Sequence, residues 1–353
     1  MGEHQFLSVV STRARYGSPV RDTDHIPYPK KGTSMNTPDR SDVRFDSGEE
    51  QCGAWLYMPD TAADDGPVPI VVLAHGIAGV KELRLYAFAE RFRDAGYACL
   101  VFDYRHFGAS SGQPRELIDI GRQLEDWRNA VTYARSLPDI DPNRVVVWGT
   151  SFGGGNVMIT AADDPRIVAA ITQCPFTDGP SSVLRISPRT SFALMVKALR
   201  DRAGVRSGRS PVRIPATGRP GTAAMMTAPD SLAGFHALLL ASNMPDMPQD
   251  VPARLMLRIP FHIPGRRARD IKCPIMFGLC EHDTIAPVQA AIRHARNAPR
   301  GEIRLYDAGH FDIYIGDLFE EVVSDQIEFL QRHVPTNQGS SNASLIHSEG
   351  TNR

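Results

Sequence analysis

The residues Gly149-Thr150-Ser151-Phe152-Gly153 end the apolar run Val145-Val146-Val147-Trp148, and two more glycines, Gly154 and Gly155, follow. A serine flanked at two residues' distance by glycines, where a β-branched run gives way to a helix-compatible one, fits a sharp strand-to-helix turn. Glycine lets neighbouring backbone pack close because it has no Cβ, so Oγ stands exposed. The chemistry this suits is nucleophilic attack, with Ser151 as the attacking group.

A serine hydroxyl is a weak nucleophile at neutral pH. It needs a base, and the base needs an acid that fixes its tautomer. An apolar run over residues 274–279 ends in Cys280-Glu281-His282-Asp283, which places Asp283 in a loop at a strand's carboxyl end. A second run over 303–306 ends in Asp307-Ala308-Gly309-His310-Phe311, which places His310 in the next such loop. Asp178, just past the run at 168–173, is an alternative acid, because two loops can reach one histidine. Cys280, His282 and Asp283 also suggest a metal site. Adjacent residues of one short loop rarely point at a common centre, however, and no second cluster completes four ligands, so neither metal nor cofactor is expected.

The elements that must hold these residues alternate. A hairpin is expected over 43–57, strands over 70–74, 98–103, 144–148 and 168–173, and helices over 82–95, 117–136 and 154–162. The alternation breaks at residue 178 and resumes near 271 with strands at 274–279 and 301–306 and helices at 288–297 and 317–333. Strands alternating with helices imply a mostly parallel central sheet with helices on both faces, an α/β fold. The expected organisation is a disordered segment 1–41, a first core part 42–177, an inserted cap or lid 178–268, a second core part 269–335 and a disordered tail 336–353. The cap contains helix-like apolar patches at 192–199 and 231–240. It also contains five methionines (225, 226, 244, 247 and 256), suited either to an adaptable pocket or to ordinary packing.

With the order Ser151, Asp283, His310 in place, the chain resembles the α/β-hydrolase superfamily. His75-Gly76 after a buried strand is similar to that family's oxyanion loop, and Asp103-Tyr104-Arg105-His106-Phe107-Gly108 to its D-x-R-G-x-G loop. The Ser-Phe pair at the turn, the glycines after it and the layout of the oxyanion loop also resemble the dienelactone-hydrolase and prolyl-peptidase-like branches. The resemblance implies that Ser151 attacks a carbonyl, that His310 takes and returns the proton, and that Asp283 orients the imidazole. It implies an oxyanion hole made by the backbone N–H of Phe152 and of Ile77, with Ala78 as the alternative to Ile77. Asp103 and Arg105 read as a pair that holds their loop, His106 as an exposed loop histidine where the family usually has glycine, and His75 as a donor that fixes its loop. A serine at the turn argues against dehalogenase and epoxide-hydrolase chemistry, which use a carboxylate there.

Composition bounds the rest. The chain has 353 residues, 42% hydrophobic, and a formal net charge of −1, which gives no electrostatic reason to expect nucleic acid or a membrane as partner. Five scattered cysteines read as reduced thiols and favour the cytoplasm. The partner expected is a small-molecule acyl substrate, with a homodimer left open. The function expected is hydrolysis of a carboxylic ester or thioester through an acyl-enzyme. An acyltransferase of the polyketide-release type and a peptidase acting at peptide N-termini are the rival enzymes, and a ligand receptor on a hydrolase scaffold is the non-enzyme reading. The arginines 185, 189, 200, 202, 206, 209 and 213 make the cap basic, which argues against a site for a free amine and for an acidic substituent or a carrier's phosphate.

Overall fold

A computed structural model describes residues 40–60 and 66–336. Most of the segments read as disordered, 1–41 and 336–353, lie outside the described residues; Arg40, Ser41 and Thr336 do not, the first two belonging to a strand and Thr336 being buried.

The sheet has eight strands: β1 (Arg40–Ser47), β2 (Glu50–Tyr57), β3 (Val68–Ala74), β4 (Ala98–Phe102), β5 (Ile140–Thr150), β6 (Ile167–Gln173), β9 (Ile275–Cys280) and β10 (Gly301–Tyr306), in the spatial order β1-β2-β4-β3-β5-β6-β9-β10. The hairpin β1–β2 joins β4 antiparallel, and every pairing from β4 onward is parallel. Parallel strands covered on both faces read as continuous apolar runs, and β3, β4 and β9 are buried along their whole length. The edge strand β10 is instead half open and carries Glu302 and Arg304, which discourages pairing with another chain.

The flanking helices are α1 (Leu85–Asp94), α2 (Ile120–Ser136), α3 (Phe152–Asp163), α7 (Val288–Ala295) and α8 (Gly316–His333). Helix α2 begins where Asp119 accepts a hydrogen bond from the Arg122 amide, and it buries Trp127, Ala130, Val131 and Ala134 as one stripe. Helix α8 is tied to the sheet through buried amides: Trp148 Nε1 donates to Gln326 Oε1 at 2.9 Å, and Gln326 Nε2 donates to Gln173 Oε1 at 2.9 Å. Those bonds fix the carboxyl ends of β5 and β6, where the chemistry-bearing loops start.

Between β6 and β9 the chain makes a long excursion. It contains α4 (Gly179–Val183), α5 (Pro188–Arg206), α6 (Ser231–Ala241), three 3₁₀ turns within 253–270, and the short antiparallel pair β7 (Arg213–Pro215) and β8 (Asp250–Pro252). The apolar patches at 192–199 and 231–240 fall within α5 and α6. No sequence signal marks β7 or β8, three residues each and both ending in proline.

Candidate active site

Strand β5 delivers Ser151 onto a backbone that few residues tolerate, with φ 54° and ψ −120°. Gly153 lies so near the β3 loop that a Cβ there would stand 2.4 Å from the His75 carbonyl oxygen. Only glycine permits that approach. Helix α3 starts at Phe152, whose N–H belongs to the first turn and has no intrahelical acceptor.

Ser151, His310 and Asp283 form one hydrogen-bonded chain. His310 Nε2 stands 3.1 Å from Ser151 Oγ, and His310 Nδ1 stands 2.7 Å from Asp283 Oδ2. A carboxylate only accepts, so Nδ1 donates to Asp283 and Nε2 is left as the acceptor facing the serine. The other oxygen of Asp283 accepts from the amides of Ile285 at 2.8 Å and Ala286 at 2.7 Å. His310 and Asp283 are buried, so the pair is shielded from water. Asp178 is elsewhere: it caps α4 by accepting from the Ser181 amide at 2.8 Å, and it meets His294 Nε2 at 3.2 Å.

The loop after β3 approaches the same point. A Cβ at Gly76 would stand 3.3 Å from Ser151 Oγ, and Ile77 lines the cavity into which Ser151 opens. His75 holds this loop: its Nδ1 accepts from the Gly76 amide at 2.8 Å, which leaves Nε2 to donate to the Leu83 carbonyl at 3.0 Å. Burial pushes the His75 pKa down to about 4, so it stays a neutral strut.

Two sequence-based expectations about the next loop are corrected. Asp103 and Arg105 do not pair with each other. Asp103 binds Lys81 Nζ at 2.6 Å and accepts from the Lys81 and Ala109 amides, while Arg105 binds Asp126 at 2.6 Å and also Glu125, both on α2. Residues two apart can diverge once the strand ends and the loop turns. Burial alone would lower the Lys81 pKa, but the carboxylates of Asp103 and Glu82 outweigh it and hold the ammonium above its ordinary range. His106 is not exposed. It is buried at φ 74°, with Nε2 3.1 Å from Arg122 Nη1.

The metal alternative also fails to assemble as read. His282 faces Asp307 at the surface, and Cys280 Sγ lies 3.1 Å from Cys174 Sγ. Among the described residues, the group with ligand-like spacing is Cys174, Asp283 and His310, within 4.8 Å of one another, and there Asp283 and His310 are already engaged with each other.

The cavity above Ser151 has a volume of about 420 Å³. Its floor comes from the sheet loops, with Ile77, Phe152, Phe176 and Ile285, and its roof from the excursion, with Val183, Ile186, Met225, Met226, Met256 and Ile259. Met244 and Met247 do not reach it and belong to the packing. Of the basic residues of this region, Arg185 lines the cavity. Three contributors carry no sequence signal: Thr284, Asp230 and His262, whose ring packs on Phe152 and Phe176 at 5.4 and 5.9 Å.

A sequence model of the Alpha/beta hydrolase family matches residues 71–324, the stretch that contains β5, the excursion and both loops. The chain belongs to the alpha/beta hydrolase family. Within it, the chain is 50% identical over 306 residues to the quorum-quenching protein AidA of Acinetobacter baumannii (strain MDR-ZJ06), which covers 86% of this chain and 99% of that one. It is 27% identical over 313 residues to the polyketide transferase grgF of a Penicillium species, covering 85% of this chain and 99% of that protein. The solved alpha/beta hydrolase GrgF from Penicillium sp. sh18 superposes with a TM-score of 0.70 at 26% identity, over 83% of this chain and 98% of that one. No helix of the described residues is long and apolar enough to cross a membrane.

Proposed function

We propose that this alpha/beta hydrolase cleaves a carboxylic ester or thioester through an acyl-enzyme, with Ser151 as nucleophile, His310 as base and Asp283 as the acid that orients it. The observation that carries this reading is the unbroken chain Ser151 Oγ to His310 Nε2 at 3.1 Å and His310 Nδ1 to Asp283 at 2.7 Å, opening into an apolar cavity. Ser151 Oγ attacks the carbonyl carbon as its proton passes to Nε2. The tetrahedral oxyanion is met by the N–H of Phe152 and of Ile77, each donor contributing about 3 kcal/mol to lowering the barrier. The intermediate collapses, the leaving alcohol or thiol takes the proton from His310, and water repeats the sequence to release the acid. The Asp283–His310 bond stabilises the imidazolium formed at each transfer.

The cavity supports a substrate class. Among the described residues lining it, Arg185 is the one ionisable side chain other than the reacting group's partners, and there is no carboxylate to hold a free amine. This weighs against a peptidase at peptide N-termini, and within the family it favours the dienelactone-hydrolase-like branch over the prolyl-peptidase-like one. A volume of about 420 Å³ with methionine in the roof suits a small or medium acyl group. The likeness to a protein named for quorum quenching makes a diffusible signal containing an ester or lactone the substrate we favour. The five cysteines are free and buried, and we place the protein in the cytoplasm.

Acyl transfer is the second reading, favoured by the likeness to a polyketide transferase. A hydroxyl in place of water at the second step would divert the acyl group, and product analysis with a competing alcohol separates the two. The primary test is labelling with a fluorophosphonate and turnover of short p-nitrophenyl esters. We expect the label on Ser151 and loss of turnover in a folded Ser151→Ala variant. A variant that keeps the wild-type rate would overturn the mechanism, and a folded wild-type protein inert to probe and esters would favour a receptor.

A further inference from the structure

Helix α5 buries one face and carries an exposed apolar stripe on the opposite one. Thr190, Leu194, Ala198 and Asp201 are buried against the rest of the excursion. Phe192, Met195, Val196 and Leu199, at i, i+3, i+4 and i+7, form a second stripe on the outer side, where Phe192 is 72% and Leu199 54% exposed. Leu184, just before the helix, is 86% exposed. The helix also carries the cations Arg189, Lys197, Arg200, Arg202 and Arg206, of which Arg202 lines a second cavity with Arg254 and Arg258. Among the described residues these five have no carboxylate partner. The helix's one acid, Asp201, is turned inward and held by Arg254 Nε at 2.7 Å.

We infer that α5 docks this protein on an anionic lipid surface. An exposed apolar stripe bordered by Lys and Arg, with no exposed acid on the helix, matches a bilayer interface: the side chains of the stripe enter the acyl boundary and the cations meet the phosphates. A second copy of the chain fits less well. Four exposed side chains offer on the order of a few hundred Å², short of the roughly 1,200 Å² of a stable interface, and a twofold contact would bring the five cations of each copy together. The residues just before α5, including Val183, Arg185 and Ile186, line the cavity above Ser151. Docking therefore turns the cavity's rim toward the membrane, where amphiphilic acyl compounds partition. A net charge of −1 for the whole chain conceals this face, because the balancing acids lie elsewhere. The inference departs from the sequence-based expectation of no membrane partner, and it stands independently of the proposed chemistry because its readout is binding.

The test is sedimentation of the full-length protein with vesicles of phosphatidylcholine alone and of phosphatidylcholine with an equal amount of phosphatidylglycerol. We expect partitioning at least about ten-fold stronger on the anionic vesicles, weakened by about 0.5 M salt. The double variant Phe192→Glu/Leu199→Glu and the double variant Arg200→Glu/Arg206→Glu should each lose most of that binding while keeping wild-type circular dichroism and melting temperature. Failure of the wild type to bind anionic vesicles overturns the inference, as does binding that both variants retain. Equal binding to soluble polyglutamate would assign the surface to acidic protein instead. A lipid-free dimer that Leu199→Glu dissociates would assign it to a second copy.

Discussion

Thr284 donates its hydroxyl hydrogen to the carboxylate of Asp230, which joins the loop carrying Asp283 to the start of α6 in the excursion. The second carboxylate oxygen of Asp230 lies 3.7 Å from where a Cβ at Gly309 would stand, one residue before His310. One residue of the excursion is thus bonded to the loop of Asp283 and lies beside the loop of His310, the two residues that the proposed mechanism needs in register. A displacement of about 1 Å at reacting groups can cost roughly 100-fold in rate. We expect Asp230→Ala and Thr284→Val to lower kcat on p-nitrophenyl esters by roughly 10- to 100-fold. Asp230→Asn, whose amide oxygen still accepts, should keep most of it. Steady-state kinetics on the three variants check this, and an alanine variant at the wild-type rate would remove Asp230 from the account.

Gly76 brings the backbone of the β3 loop against Ser151. Its substitution by alanine would put a Cβ 2.7 Å from Ser151 Cβ and 3.1 Å from the Thr150 carbonyl oxygen. Neither is the far end of a flexible chain, so the turn or the oxyanion loop must shift. Gly76→Ala is expected to cost roughly 100- to 1,000-fold in kcat, the scale for losing an oxyanion donor. Labelling of Ser151 by fluorophosphonate should slow in parallel. A fully active Gly76→Ala variant would show that the loop is not where the oxyanion forms.

How much of this was readable in the sequence follows from which forces are local. Ser151 and Asp283 follow the buried ends of β5 and β9, and His310 follows the half-open β10; a strand's run and its abrupt end are written in consecutive residues. The sheet and its helices were legible for the same reason. Two helices of the excursion showed as apolar patches, but the rest of it was not legible, because its residues are held by contacts with distant segments: Asp230 by Thr284 and Arg213 by Glu116. The arginines read as making the cap basic are another case. A sequence records that they cluster, but the buried stripe of α5 decides that all five of that helix's cations lie away from the cavity above Ser151. Asp103 and Arg105 looked like partners because they are neighbours in sequence, whereas their charges are answered by Lys81 and Asp126.

Two buried histidines, His75 and His106, and the half-buried His262 make stability depend on pH. Burial holds His75, His106 and His262 each at about 4, against an ordinary value of 6.5. Between those values the folded state keeps the rings neutral while the unfolded chain binds protons. Stability is therefore complete above about pH 6.5 and is lost as pH falls toward 4, by up to about 1.4 kcal/mol per pH unit for each ring. Urea unfolding at pH 7.5, 6 and 5 should show the decline. His262→Phe, which keeps a ring between Phe152 and Phe176, should reduce its slope by about a third, one titrating ring in three. A midpoint unchanged from pH 7.5 to 5 would contradict the assignment.

Asp178 and Asp283 differ in what they hold, and the proposed mechanism gives a part to Asp283 alone. Asp283 accepts a hydrogen bond from His310 Nδ1 at 2.7 Å, so Asp283→Asn offers an amide that favours the opposite tautomer and leaves Nε2 unable to accept from Ser151. We expect kcat to fall about 10⁴-fold with the fold intact. Asp178 serves the first turn of α4 and His294, so Asp178→Ala should cost about 1 kcal/mol of stability and leave kcat within a factor of a few. Kinetics and urea melts on the two variants give opposite patterns. Loss of turnover in Asp178→Ala with survival in Asp283→Asn would transfer the acid's role to the other loop, which would require His310 to leave the orientation in which it faces Ser151.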